Sequence, residues 1–243
     1  MQKVGDWPVL NLGDRFQFAC HKGLSCFTQC CQKLEVMLTP YDILRLKNAL
    51  NISSDRFLEK YTETVFSERL EIPLVKLKKI DNRCPFLSSE GCKIYKDRPS
   101  VCRLYPLGRG FSNQGKEVYF LIKEKECLGF EGSRKWTVAS WVKAQGIEDY
   151  DKYNKGFSEI ILLKAQSRPH GFSLKEARMF FMACYNLDAF KEFVFKSSFL
   201  KKFDLSPKRM EKIKKKEPLL LQLAFDWLKF ALFGKPTLRI KSA

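Results

Sequence analysis

The sequence predicts an α+β fold, with a loop-rich cysteine-bearing domain over residues 1–132 and a helical unit with a basic C-terminal segment over residues 133–243. Three observations predict it. Eight of the nine cysteines lie between Cys20 and Cys127, among prolines and glycines. Short stretches of alternating polarity in the same region read as strands. From about Ser133, capping signals and apolar residues at helical spacing take over. At 243 residues the chain can bury one full core and a second small helical unit. Its 45% hydrophobic and 14% aromatic content excludes a disordered chain, because burial of that surface offsets the entropy of ordering.

Taken in order, Gln32 to Leu38 alternates, with Leu34, Val36 and Leu38 on one side, and predicts a strand. Thr39 and Pro40 then open a helix to about Leu50, the threonine as cap and the proline in the first turn. A second helix follows Ser53 and Ser54. Ile72 to Ile80 and Glu117 to Ile122 read as extended. Pro85, Gly91, Pro99, Pro106 and Gly108 punctuate the stretch between them, which packing alone would hold poorly. Thr137 caps a helix that stops at Gly146. Tyr150, Tyr153, Phe157, Ile160 and Ile161 form one helical face. Ser173 and Glu176 make a capping box for a helix to about Tyr185. Ser206-Pro207 begins a basic helix, and Pro218 begins an apolar one that ends near Gly234.

The cysteines carry the chemistry. Clustered thiols in a reducing compartment hold metal more often than they form disulfides, and a chain with ample core needs no disulfide staple. The first cluster is Cys20-x5-Cys26-x3-Cys30-Cys31. The second runs through Cys84, Cys92 and Cys102, and Cys127 closes the set. The adjacent pair can serve one site from a tight loop, or two sites on either side. The predicted ligands are therefore Cys20, Cys26, Cys30, Cys31, Cys84, Cys92, Cys102 and Cys127, enough for two four-thiolate sites. Such sites are anionic, and Arg83, Lys93, Arg98, Arg103 and Arg109 are placed to offset them. Arg98 and Arg103 are the two expected against the cofactor; otherwise they simply belong to turns.

Two strings carry a family resemblance. One is the cysteine run ending in Cys30-Cys31, followed by Leu38-Thr39-Pro40 and Asp42-Ile43. The other is Cys84-Pro85-Phe86-Leu87, then Gly91-Cys92-x-Ile94-Tyr95-x-x-Arg98-Pro99-x-x-Cys102-Arg103-x-Tyr105-Pro106. Over roughly residues 16 to 131 the chain resembles the YkgJ-type cysteine-cluster (CxxCxxCC) family, described as zinc- or iron-chelating. It is similar in the same cysteine pattern to flagellin lysine N-methylases. The family's first motif is Cys-x-x-Cys-x-x-Cys-Cys; this chain departs from it with five residues between Cys20 and Cys26 and three between Cys26 and Cys30.

Thiolate-only ligation suits zinc or an iron–sulfur cluster. Only Cys26-x3-Cys30 has the spacing of a zinc knuckle. The uneven intervals suit a cluster wrapped by loops, so an iron–sulfur cluster of the 4Fe-4S kind is expected, with zinc next. The Cys-x3-Cys-x2-Cys motif of radical S-adenosylmethionine chemistry is absent, because Cys31 follows Cys30 at once. His21 could replace Cys20 but reads better as a solvent-facing side chain. His170 reads as structural. Cys184 shares a helical face with Leu174, Ala177 and Phe181 and reads as a core residue. Glu124 and Glu126 are equally well explained as a solvated strand end. No phosphate-binding glycine loop or Ser-His-Asp order is present, and two histidines leave little for general-base work. Catalytic residues are not identifiable.

The formal charge is +17, and residues 201–243 hold twelve Lys or Arg against four Asp or Glu. That segment is either a solvated helix face or a surface for an acidic protein or an anionic membrane. Nucleic acid is the weakest partner class, because no base-reading motif accompanies the charge. The apolar helix from Pro218 to Phe233 is too short to span a bilayer and is expected to be buried, leaving Lys212 to Lys216 outside. The N-terminus lacks an apolar signal core, so a cytoplasmic protein is expected. Two functions fit. One is a redox or metal-dependent protein, extended by the resemblance to protein-lysine methylation with S-adenosylmethionine. The other is a non-catalytic zinc- or iron-binding interaction module.

Overall fold

Side-chain caps set most of the helices. Thr39, Ser53, Thr137, Ser173, Asn186 and Ser206 each accept a hydrogen bond from a backbone N–H of the first turn, satisfying donors that the helix cannot. The computed structural model describes residues 3–68, 70–111, 117–167 and 170–241. The first elements are β1 (Lys3–Val4), β2 (Trp7–Leu10), β3 (Arg15–Gln17), α1 (Cys30–Lys33), β4 (Met37–Leu38), α2 (Pro40–Ala49) and α3 (Ser54–Tyr61). Next come β5 (Thr62–Phe66), β6 (Pro73–Leu77), β7 (Leu87–Ser88), β8 (Gly91–Cys92), α4 (Ser100–Leu104), β9 (Leu107–Phe111) and β10 (Glu117–Leu121). The last third holds β11 (Lys135–Thr137), α5 (Val138–Ala144), α6 (Glu148–Ser167), α7 (Leu174–Tyr185) and α8 (Leu187–Lys196). It closes with α9 (Phe199–Lys202), α10 (Pro207–Lys215) and α11 (Glu217–Phe233). The fold is α+β. Among the described residues, no helix is long and apolar enough to cross a membrane.

The chain forms two compact units, each discontinuous. The first joins residues 1–36 to residues 79–149, and the second joins residues 37–78 to residues 150–243. A boundary at residue 132 does not follow this grouping. Residues 135–139 are tied back to residues 12–17: β11 pairs with β3, and the N–H groups of Val138 and Ala139 donate to Asp14 and Leu12 at 3.1 and 3.0 Å. Similarly, α2 belongs with the helices, because the buried Asn154 accepts from the Tyr41 N–H at 3.1 Å and donates to Thr39 Oγ1 at 2.9 Å.

In the first unit, β1, β2, β10 and β9 form an antiparallel sheet in that order. Stacking of Trp7 on Phe120 covers Gly108, where any Cβ would meet the Phe120 ring at 2.0 Å. The expected strand over Gln32 to Leu38 is mostly not formed. Cys30 to Lys33 take a helical turn, and pairing begins only at Met37, which lies opposite Lys76.

In the second unit, β4, β6 and β5 make a three-stranded sheet beside the helices. Helix α11 packs on α7, α8, α2 and α10, with Leu220, Leu221, Leu223, Ala224, Phe225, Trp227 and Leu228 buried. Its polar residues are all engaged. Gln222 donates to the Tyr153 carbonyl, Asp226 pairs with Arg209 at 3.0 Å, and Lys229 pairs with Glu159 at 2.8 Å. Lys47, also buried, meets Glu217 at 2.6 Å and Asp188 at 3.6 Å, so its charge has partners.

Candidate metal centre

Loops and short turns deliver the eight thiols. Successive tight turns carry the chain from Cys20 to α1: Leu24 N–H donates to the His21 carbonyl, Phe27 to Leu24, and Cys31 to Thr28. Thr28 sits in the left-handed region at φ 69°, which turns the chain sharply between Cys26 and Cys30. Asp81 and Asn82 are also left-handed, residue types that tolerate it, and they reverse the chain before Cys84. The Cys84 N–H then donates to the Cys31 carbonyl at 3.1 Å. Hairpin β7–β8 sets Leu87 opposite Cys92, with Gly91 at φ 109°, a conformation that requires glycine. Helix α4 carries Cys102, and Cys127 follows a turn closed by its N–H on the Glu124 carbonyl.

An aromatic group supports the Cys20 and Cys127 end. The buried Phe18 meets Tyr105, Phe130 and Trp141 edge-on at centroid distances of 6.0, 5.3 and 5.6 Å. Trp141 Nε1 donates to the Leu104 carbonyl at 2.8 Å, and Trp136 Nε1 donates to the Phe18 carbonyl at 3.0 Å. Gly129 lies flat on Phe18; a Cβ there would stand 2.6 Å from the ring. That close approach lets Ala19 N–H reach the Gly129 carbonyl at 2.8 Å and Leu128 N–H reach Cys26 Sγ at 3.3 Å. These aromatic supports were not identified from sequence, although Tyr105 lies inside the quoted Cys102-Arg103-x-Tyr105 string.

The thiols perturb one another. Cys20 is exposed at the rim, yet enough protein surrounds its sulfur, together with Cys30, Cys127 and Cys26, to push it up to about 11. The other seven of the set are half-buried. The Cys31 thiol donates to Cys30, which lowers Cys30 to about 7 and raises Cys31 far above the usual thiol value. Burial and the neighbouring Cys30, Cys84 and Cys102 raise Cys31 further. Cys84 is raised by burial and by Cys92 and Cys30, against hydrogen bonds from the Phe86 and Leu87 N–H groups. Tyr105 is raised by burial and by its hydrogen bond to Cys127.

Arg98 lies within electrostatic reach of Cys102 and Cys92 and stacks on Tyr95, 3.9 Å from the ring centroid. It donates to the Tyr95 carbonyl at 2.7 Å and to Gln145 Oε1 at 2.9 Å. Arg103 donates to the Gln145 carbonyl at 2.8 Å and to the Lys96 carbonyl, binding the α4 region to the end of α5. Of the other cations, Arg83 and Lys93 are exposed, and Arg109 pairs with Glu117 at 3.5 Å across β9 and β10.

Among the described residues, no three His, Cys, Asp or Glu side chains stand at the close spacing of a finished ion site. The donor chemistry nonetheless fits a thiophilic metal or an iron–sulfur cluster: eight sulfurs, mutually sensed and mostly half-buried, on one discontinuous unit. His21 is exposed, and its Nδ1 accepts from the Gly23 N–H at 3.2 Å. His170 is exposed in the second unit. Glu124 and Glu126 are exposed, the latter paired with Lys33 at 3.3 Å. Cys184 is buried in α7 of the second unit, on a face with Ala177 and Phe180. Leu174, expected on that face, is exposed at the first helical position.

Residues 19–128 match the model of the CxxCxxCC family, whose description reads "Putative zinc- or iron-chelating domain". A relative in Methanocaldococcus jannaschii, "Uncharacterized protein MJ0661", is 29% identical over 154 residues, covering 60% of this chain and 79% of that protein. No solved structure matches the chain.

Proposed function

From the match of residues 19–128 to the CxxCxxCC zinc- or iron-chelating family model, we propose that the eight thiols of this unit hold iron–sulfur, with zinc as the next candidate. One observation carries the reading. Separate cysteine-bearing loops are tied to one another, the Cys84 N–H donating to the Cys31 carbonyl at 3.1 Å and the Leu128 N–H to Cys26 Sγ at 3.3 Å, and the thiols they carry perturb one another. Zinc knuckles take their ligands in close pairs, whereas iron–sulfur clusters accept thiolates from scattered loops. A bound cluster would supply electron transfer or, with an open iron, a Lewis acid. Arg98 would offset part of its charge beside Cys92 and Cys102, and Arg103 would fix the loop that carries Cys102.

The finer role is redox chemistry at the cluster or, following the resemblance to lysine N-methylases, methyl transfer from S-adenosylmethionine to a protein lysine. The second reading is a non-catalytic zinc- or iron-binding interaction module. The exposed Lys208, Lys212 and Lys216 of the α10 region favour it, because they present charge to an acidic protein or an anionic membrane while α11 keeps its apolar residues buried. Purification of the full chain without oxygen tests the metal. Brown protein with iron and acid-labile sulfide supports iron–sulfur; colourless protein with stoichiometric zinc replaces it. Calorimetric titration with S-adenosylmethionine separates the two roles, and no binding to the loaded chain rejects the methylation role.

A further inference from the structure

We propose that the second unit docks on an anionic lipid bilayer through a basic face built from the end of α9, the outer side of α10 and the ribbon of residues 235–241, with Ile240 entering the headgroup layer. The inference rests on the reading of the α10 region as an interaction surface; it names the partner and does not depend on which metal the cysteines hold. Backbone geometry assembles the face from segments distant in sequence. After α11 the chain turns at the left-handed Gly234 and runs back along the helix, where Thr237 Oγ1 donates to the Asp226 carbonyl at 2.6 Å. Asp204 N–H then donates to the Arg239 carbonyl and Lys241 N–H to the Lys202 carbonyl, both at 2.9 Å, with Phe203 paired to Ile240 between them. Lys201 and Lys202 are thereby set beside Arg239, Ile240 and Lys241. From the first turn of α10, Arg209 reaches Asp226 at 3.0 Å, so α10 starts at the same place on α11 that the ribbon crosses. Lys208 and Lys212, one turn apart, are exposed there while Ile213 is buried.

The face keeps its charge. Lys201, Lys202, Lys208, Lys212 and Arg239 are exposed, and among the described residues none of them has a carboxylate within ion-pair distance. The Lys241 ammonium donates to the Leu200 carbonyl at 2.9 Å, which holds that cation at the α9 end. The acids of the same stretch are engaged elsewhere: Glu211 by Lys215, Glu217 by Lys47 and Asp226 by Arg209. Asp204 is left as an exposed carboxylate on the face. Like charges gathered in this way repel one another, and a polyanionic surface relieves that repulsion.

The chemistry of the face selects a bilayer over an acidic protein or a nucleic acid. Its cations are mostly lysines, point charges on flexible stems that answer to a diffuse negative potential, whereas a defined carboxylate or phosphate is read best by an arginine fork. The Arg209 fork is already held by Asp226. Leu238 is buried and anchors the ribbon, while Arg239, Ile240 and Lys241 beyond it are all exposed, Ile240 at 57%. An apolar side chain flanked by cations matches the layering of a membrane interface, anionic headgroups over acyl chains. A soluble polyanion has no apolar layer for it. The apolar residues of α11 stay buried in the unit, so the contact is peripheral and reversible.

The test is co-sedimentation of the full chain with vesicles of phosphatidylcholine alone, or of phosphatidylcholine carrying about one-third phosphatidylserine. The chain should pellet only with the second, and be released as salt rises from about 0.05 M to about 0.5 M. Lys201→Glu with Lys202→Glu should weaken binding at least about tenfold. Arg56→Glu with Lys60→Glu makes the same change in net charge on α3, which is bonded to the opposite end of α8 through Ser54 and Asp188, and should weaken it little. Ile240→Ser should weaken binding several-fold and keep the salt dependence. All of these side chains are exposed, so metal content and melting temperature should not move. Equal losses in the two double variants make the binding an effect of net charge and overturn the face. Unchanged binding by Ile240→Ser overturns the insertion of that residue. Binding to polyglutamate or duplex DNA in place of vesicles overturns the bilayer as partner while the interaction surface stands. Binding to none of these overturns the interaction-surface reading itself.

Discussion

The backbone N–H of Cys84 donates to the carbonyl of Cys31 at 3.1 Å, joining two cysteines that are separated by 52 residues in the chain. Most of that interval, residues 37–78, belongs to the second unit. Nearby, Lys79 Nζ donates to the Lys33 carbonyl at 3.2 Å. The segments by which the chain leaves and re-enters the cysteine unit are thus tied together by hydrogen bonds. These ties hold the thiols near one another, and metal would strengthen them.

Removing the metal should loosen the aromatic group beneath Cys20 and Cys127. Trp141 and Trp136 sit 5.0 Å apart beside Phe18. A strong chelator applied without oxygen should shift and weaken the tryptophan fluorescence and lower the melting temperature, because ligation and folding are coupled in loop-rich domains. An unchanged melt after complete metal removal would contradict this.

Gly129→Ala should be costly. Its Cβ would stand 2.6 Å from the Phe18 ring, which Tyr105, Phe130 and Trp141 hold in place. Overpacking of this kind costs about 1–3 kcal/mol. Gly13→Ala is the control, since nothing lies within 4 Å of its added Cβ and its backbone is unstrained. Denaturant melts of the two variants should separate clearly, and equal stabilities would show that Phe18 yields freely.

Cys184→Ala should leave the metal content unchanged and cost about 1 kcal/mol. The thiol is buried, and burial raises it well above the usual value, so it stays neutral and acts as a small apolar side chain. Metal analysis alongside a thermal melt checks both parts.

Asp188 should give the stability a pH dependence. Burial raises its carboxyl, but the Ser54 backbone N–H at 2.6 Å and the Lys47 ammonium at 3.6 Å outweigh burial and hold it below the usual 3.8. A depressed carboxyl contributes stability that is fully present above its unfolded pKa and lost as the pH falls through the lower folded value. The difference in melting temperature between wild type and Asp188→Asn should therefore be widest near neutral pH and shrink below about pH 4. A difference that is constant with pH would assign the effect of the substitution to packing.

Local signals were legible in the sequence, and long-range ones were not. The caps at Thr39, Thr137, Ser173 and Ser206 and the left-handed Gly234 after α11 are where short-range chemistry places them. Helix α8 was overlooked, although Asn186 caps it and Phe190 and Val194 are buried one turn apart. The strand expected over Gln32 to Leu38 shrank because α1 takes its first residues, an outcome that polarity alternation cannot reveal. The eight grouped cysteines were legible as a set. Their neighbours Phe18, Gly129 and Gln145 were not, because each acts through a residue far away in sequence. The chain also crosses between units at residues 36, 78 and 149 without a linker to mark it.

That discontinuity governs how the molecule can be dissected. No single scission releases either unit whole, because each is built from two stretches of chain. A fragment ending at residue 132 would keep the buried Ile43, Leu46, Phe57 and Val75 without α6, α7, α8 and α11, the helices of their own unit, and would discard Trp136 and Trp141. It would aggregate for reasons unrelated to metal. The cut that respects the thiols is an internal one: excise residues 37–78 and splice the flanks that Lys33–Lys79 and Cys31–Cys84 already hold together. The minimal cysteine protein is therefore a spliced chain of residues 1–36 and 79–149.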